Sequence, residues 1–308
     1  ERRRLACAHD ANGVHMTGRI HIAHIVNPVN KPVYSELSYA QPITFETMRV
    51  ARERAASNGI HVELLSAQFP EDHEVMPDYF RKTPDLERSA ADFGAFTRPK
   101  KLPLLQDLLR RLYEASEAPY HIYTNVDIAV QPHFYLEAAK RLGQGLDAFI
   151  INRRRIPGHF RSVEELPAMY AHPGAPHPGF DCFVFHRSLY PKFELEKVCV
   201  GIPFLEMAMS QNLFCHARNF RLFRHDFLSF HIGMEIFKKR DKEYLQYNRK
   251  EFWKVIDKLW PALDSRKFPW GDRNALYRML RWGLHPAIPI RLALMLEPRR
   301  WRRDTRRE

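Results

Sequence analysis

The sequence predicts an α/β fold: a mixed, mainly parallel sheet flanked by helices. Three observations carry that expectation. A strand–helix–strand run at residues 18–66 has the lengths of a βαβ unit, which implies parallel strands and a right-handed crossover. A leucine-faced segment after Pro103 leads directly into the alternating stretch Tyr120-His121-Ile122-Tyr123. That stretch ends in small polar residues, Thr124-Asn125-Val126-Asp127, and Pro132 then opens a helix where its missing N–H costs little.

Taken in order, residues 18–26 read as the first strand, with Ile20, Ile22 and Val26 broadly alternating before Asn27-Pro28 starts a loop. Thr44 reads as the N-cap of a helix over 45–57, with Phe45, Met48 and Ala55 at helical spacing and Gly59 beyond its end. Ile60 to Leu65 form a second strand that stops at Ser66. Residues 67–102 form a long irregular insertion, the kind of loop that carries function more often than mere connection. Leu105, Leu108, Leu109 and Leu112 then mark the inward face of a helix. After the helix at 132–143, residues 147–152 read as a buried strand ending at Arg153-Arg154-Arg155, and 180–185 as an antiparallel partner. Residues 200–209 lead from a loop into a helix, and 220–223 and 228–232 are short apolar pieces. Past residue 240 Tyr244, Tyr247, Phe252, Val255, Ile256 and Leu259 share one helical face, and apolar segments at 276–284 and 288–296 precede a basic tail. The expected division is a catalytic domain over 18–240 and a helical appendage over 241–308.

With 308 residues, 45% of them hydrophobic and 12% aromatic, the chain can bury a real core, which argues against general disorder. Cys7, Cys182, Cys199 and Cys215 are widely spaced, so neither a zinc module nor a disulfide framework is expected, and a reducing, cytoplasmic compartment is favoured. No apolar run is long enough to span a bilayer. The net charge of +12 is concentrated at Arg2 to Arg4 and between Arg299 and Arg307. Such ends suit an anionic membrane surface or plain solvation; nucleic acid is the weaker expectation, since no zinc finger, RNA-binding aromatic signature or basic-region heptad array accompanies them.

The setting of Asn125-Val126-Asp127, on a core strand's end between two helices, resembles the metal-and-diphosphate motif of GT-A glycosyltransferases, usually Asp-x-Asp. The resemblance covers about residues 18–235 and rests on the order of the segments. It implies a GT-A-like (Rossmann-like) domain moving a sugar from a nucleotide-sugar donor to an acceptor hydroxyl of a glycan or lipid-linked molecule. It further implies that Asp127, Asn125 and His231 engage a divalent metal, Mn²⁺ or Mg²⁺, and the donor diphosphate. Because Asn125 brings no charge, such a site binds metal less tightly than one with two carboxylates, and weak metal dependence, or none, stands as the alternative. Glu206, at the start of the helix after Gly201, takes the acceptor-facing acid position, with Asp181 second to it. Asn27, Pro28 and Ser66 lie where a base and ribose bind in this fold, and Lys100, Lys101 and Arg153 are candidates to neutralise phosphate.

Each position also has an ordinary structural reading: an Asx turn for Asn125 and Asp127, an exposed helix carboxylate for Glu206, a satisfied core imidazole for His231. Two rival functions stand beside the transferase. A nucleotidyltransferase would use a related sheet, but the glycine-rich phosphate loop most of them carry is missing after the first strand. A non-catalytic binding protein would keep the fold and use its basic tail. Peripheral attachment to the inner face of a membrane through that tail is the expected alternative to a freely cytoplasmic protein.

Overall fold

The computed structural model describes residues 20–31, 35–177, 179–232, 241–267 and 271–283. Strands β1 (His21–Val26) and β2 (His61–Ser66) pair parallel and in register, joined by α1 (Leu37–Ala56). Gly59 closes the turn after α1 with φ +77, a conformation a side chain resists. A two-residue strand, β3 (Arg81–Lys82), extends this edge. Helix α2 (Leu105–Ala115) leads into β4 (Tyr120–Thr124), which lies parallel to β1 on its other side. Beyond β4 the sheet mixes direction. The strand β9 (Cys182–His186) runs antiparallel between β4 and β6 (Ala148–Ile151), and β10 (Phe220–Phe223) pairs parallel to β6. The order is β10-β6-β9-β4-β1-β2-β3.

A second sheet of four short strands forms beside the first. It contains β5 (Ala129–Val130), β7 (Arg154–Ile156), β8 (Ala175–Pro176) and β11 (Ser229–Ile232), in the order β5-β11-β7-β8, and Leu166 and Met169 of α4 (Leu166–Ala171) pack against Phe230 and Ile232 of β11. Gly174, at φ +58, lets the chain enter β8; a Cβ there would lie 2.8 Å from the Arg155 carbonyl.

Alternation along each strand divides the apolar residues into two cores. Ile22, Ile122, Phe149 and Val184 pack with Phe45 and Met48 of α1 and with Phe134 and Tyr135 of α3 (Phe134–Gly143). On the opposite face, Ala23, Leu65, Tyr123 and Phe183 pack with Leu105, Leu108 and Leu112 of α2 and with Leu205, Met209 and Leu213 of α5 (Leu205–His216). Phe252, Val255, Ile256 and Leu259 of α6 (Lys242–Leu259) join this second core, where α6 packs against α5. His24, fully buried, hydrogen bonds through Nδ1 to the Tyr135 hydroxyl at 2.8 Å and through Nε2 to Thr124 Oγ1 at 2.9 Å. Burial pushes its imidazole down to about 3, so it is a neutral strut between sheet and helix.

One expected boundary is wrong. Helix α1 begins at Leu37, not at residue 45, and it contains Pro42. Thr44 is therefore inside the helix, where its carbonyl accepts the Thr47 hydroxyl at 2.7 Å. The arginine-rich ends, Cys7 and the segment at 288–296 lie outside the described residues.

Candidate active site

The pairing registers bring four chain segments to one place. The last paired residues of β9 with its neighbours are Cys182 opposite Thr124 of β4 and Cys182 opposite Ile151 of β6. One residue further, Asp181 therefore lies between the ends of β4 and β6, flanked by Asn125 on one side and Asn152 on the other. The parallel strands β1, β2 and β4 end at this same pole, where open α/β sheets bind ligands. The small sheet completes the cluster. Asp127 precedes β5, Arg153 precedes β7, His177 follows β8 and His231 is within β11.

The side chains form a connected polar network. His231 Nε2 lies 3.1 Å from Asp127 Oδ2, and Arg153 Nη1 donates to Asp181 Oδ1 at 2.6 Å. Arg153 Nη2 is 3.5 Å from His177 Nε2, and the Asn152 amide donates to the His177 carbonyl at 3.1 Å. Tyr123 donates its hydroxyl to Asn125 Oδ1 at 2.9 Å, which fixes that amide with its oxygen toward the tyrosine. Two carboxylate oxygens, Asp127 Oδ1 and Asp181 Oδ2, are buried without a hydrogen-bond partner. Unsatisfied buried carboxylate oxygens are costly, and their concentration here marks a place built to meet a ligand.

Electrostatics set the two acids apart. Burial works to raise the Asp127 carboxyl, but His231 and Arg153 outweigh it and hold it below the ordinary carboxylate value. Burial raises Asp181, and the Asp127 charge adds to that, with Arg153 and His231 opposing. Burial drives His177 well below the usual histidine value, reinforced by Arg153 and Arg155, so it meets Arg153 as a neutral acceptor. The Tyr123 hydroxyl is raised by burial and then by the charges of Asp127 and Glu206, which puts Glu206 within electrostatic reach of the same tyrosine.

Glu206 is the second residue of α5, half-buried. The residue before the helix, Phe204, has φ +88, a left-handed conformation that is strained for a residue with a side chain. It is held by contact with Phe252 of α6, ring centroids 5.4 Å apart. Asn248 of α6 clamps the approach: its amide donates to the carbonyls of Cys199, Ile202 and Pro203, and its oxygen accepts the Cys199 N–H at 2.8 Å. Helix α6 thus holds the loop that presents Glu206.

The remaining expected residues divide between the first strand ends and the surface. Pro28 is buried, Asn27 donates to the Ala67 carbonyl at 2.7 Å, and the buried Ser66 hydroxyl lacks a partner, as does the Gln68 amide two residues on. Lys100 pairs with Asp241 at 2.8 Å and Lys101 with Glu71 at 2.7 Å, so both ammonium groups already have carboxylate partners. Tyr123, Asn152 and His177 are the members that sequence reasoning missed. Tyr123 read as core, and His177 belongs to a proline-rich loop without periodicity; its spacing carries no signal.

No family model matches the chain, and no curated protein matches its sequence. Solved structures do match in shape. The chain is similar to residues 1–349 of S. aureus TarS at TM-score 0.51 and 9% identity, covering 86% of this chain and 73% of that one. The chain has a GT-A-like fold. A complex of the same TarS fragment with UDP-GlcNAc aligns at TM-score 0.48 and 11% identity over 92% of this chain and 79% of that one. The glucosyl-3-phosphoglycerate synthase of M. tuberculosis aligns at 0.43 and 14% identity, over 79% and 81%. In GT-A terms, Asn125-Val126-Asp127 occupies the end of the central strand, and the small sheet carries His231 to it.

Proposed function

We propose that the chain is a nucleotide-sugar-dependent glycosyltransferase, its catalytic domain spanning 18–240 with 241–308 as an appendage. The observation that carries the reading is the convergence of Asp127, His231, Arg153 and Asp181 at the ends of the central strands, with Asp127 Oδ1 buried and unpaired. Transfer of a sugar leaves a diphosphate whose growing charge must be neutralised. Arg153 supplies a fixed positive charge for it. The donor set also fits a hard divalent ion: Asp127 offers a free carboxylate oxygen, Asn125 an amide oxygen, and His231 an imidazole. Such an ion, when bound, adds Lewis-acid stabilisation of the leaving diphosphate. Glu206 orients or deprotonates the acceptor hydroxyl, and Asp181, tied to Arg153, is the lesser candidate for that role. Asn27, Pro28 and Ser66 line the donor's base and ribose side.

The test is donor turnover with a panel of nucleotide sugars, starting from UDP-GlcNAc, with Mn²⁺, with Mg²⁺ and with chelator. Turnover of at least one donor is expected, and the uncharged Asn125 predicts less than a tenfold loss on chelation because Arg153 remains. Absence of turnover or donor binding across the panel would remove the proposal.

The acceptor side is proposed to be a glycan or a lipid-linked molecule. Helix α7 (Ala275–Gly283) exposes Leu276, Tyr277 and Leu280, and no helix among the described residues is long and apolar enough to cross a membrane. An exposed apolar helix followed by a basic tail has the composition of an interfacial anchor. Co-sedimentation with anionic vesicles should fall with salt and drop sharply on truncation after Leu284, which removes the basic tail and keeps α7. Equal partitioning of full-length and truncated chains would dismiss the anchor.

A further inference from the structure

At the opposite pole of the sheet, where β1 and β2 begin, a second cluster of metal-ligating side chains forms. The parallel register pairs His21 directly with His61, which sets two imidazoles side by side with ring centroids 4.5 Å apart. Alternation returns Glu63 to the same face two residues after His61. Its neighbour on β1 is Ala23, whose small side chain leaves room for the carboxylate to lean toward His21. Glu63 Oε1 lies 2.6 Å from His21 Nε2, and the ligand atoms of His21, His61 and Glu63 all fall within 4.8 Å of one another. This is the only such group of three among the described residues.

We propose that His21, His61 and Glu63 bind a divalent transition metal of the Zn²⁺ class, at a site separate from the donor pole. Two imidazoles and one carboxylate oxygen suit Zn²⁺, Co²⁺ or Ni²⁺ and disfavour Mg²⁺ or Ca²⁺, which take oxygen shells. Tetrahedral Zn²⁺ at about 2.0–2.1 Å from each ligand places ligand atoms roughly 3.3 Å apart. The present spacings reach that value by small side-chain rotations of His61, which is exposed, and His21, which is half-buried. The orienting contacts are already in place. Arg81 pairs with Glu63 Oε2, and the Ser116 hydroxyl donates to Oε1 at 2.6 Å, so the carboxylate is aimed before any ion arrives. Ser116 is the C-cap of α2, and Arg81 also donates to the carbonyl of its last residue, Ala115, at 2.7 Å, which ties the cluster to the helix covering this face. The metal would take His21 through Nε2, the neutral ring keeping its one proton on Nδ1, and would displace the direct contact to Glu63; a water completes the fourth position.

The site would act as a structural clip. It joins the starts of β1 and β2, the two strands whose far ends carry Asn27 and Ser66. Metal that binds the folded chain alone raises its stability in proportion to the logarithm of its concentration over Kd.

The experiment uses chelator-treated full-length chain titrated with Zn²⁺ alone by calorimetry, and with Co²⁺ to read tetrahedral visible absorption. A binding step of one equivalent is expected, accompanied by a rise in thermal midpoint. His61→Ala, an exposed position that the fold tolerates, and Glu63→Gln should each weaken that step at least tenfold and remove the thermal gain. Asp127→Asn should leave it unchanged. No Zn²⁺ binding at 100 μM total metal, wild-type affinity in either His61→Ala or Glu63→Gln, or loss of the step in Asp127→Asn would each overturn the assignment.

Discussion

Asp127→Ala should abolish sugar transfer while leaving the chain folded. Asp127 has one of the cluster's two buried, unpaired carboxylate oxygens, and His231 and Arg153 hold its carboxyl below the ordinary value. Removing one fixed electrostatic partner of a developing charge typically costs about two to three orders of magnitude in turnover. Asp127 is expected at the upper end, because its loss also frees His231 from its partner at 3.1 Å. Asp127→Asn, which keeps the shape and deletes the charge, should come close to the same loss. Asn125→Asp should be mild by comparison: a carboxylate still accepts the Tyr123 hydroxyl, and the added charge should tighten Mn²⁺ binding. Steady-state turnover, with circular dichroism to verify folding, decides it. Near-normal turnover in Asp127→Ala would sink the central role.

The parts of the fold that were legible in the sequence are those where packing imposes a period. Strand β4 sits between β1 and β9, and α2 lays one leucine stripe into the core on one face of that sheet, so both patterns survive in the residues. The small second sheet left no such trace. Its strands are two to four residues long, too short for alternation to show. Yet it is this sheet that carries His231 beside Asp127 and Arg153 beside Asp181. The resemblance set His231 with Asp127, but the residue pattern alone nominated each of these positions singly and gave no link between Arg153 and Asp181. Their grouping follows from pairings across about 100 residues of chain, such as Ser229 opposite Val130.

The misplaced start of α1 has a different cause. Leu37 to Gln41 carry no cap signal, and Pro42 reads locally as a break. The proline costs one helical hydrogen bond, to the Ser38 carbonyl, but the helix keeps its register because Ile43, Phe45 and Met48 are buried beyond it. Tertiary burial outweighs a local penalty of about 3 kcal/mol. The lysines show the converse. Lys100 and Lys101 stand near the start of α2, yet Asp241 and Glu71, distant in sequence, already pair with them. A charge run does not reveal which of its members the fold has already matched.

Glu206→Gln is expected to give the second large effect, and it separates two acids that the cluster leaves in competition. If the enzyme inverts configuration, loss of the general base should slow the chemical step by roughly two to four orders of magnitude with little change in donor affinity. Asp181→Asn should do less to the chemical step, because Asp181 is committed to Arg153 at 2.6 Å; its loss should appear mainly as weaker donor binding. The loop before Glu206 supplies a control. Asn248→Ala removes the bonds to Cys199, Ile202 and Pro203 without touching either acid. A catalytic Glu206 that depends on this clamp should then lose about tenfold in kcat, well short of Glu206→Gln, as positioning errors propagate. Single-turnover rates and donor binding measured for the three variants distinguish the roles. A larger chemical defect in Asp181→Asn than in Glu206→Gln would transfer the base to Asp181. It would leave Glu206 as a residue that binds the acceptor.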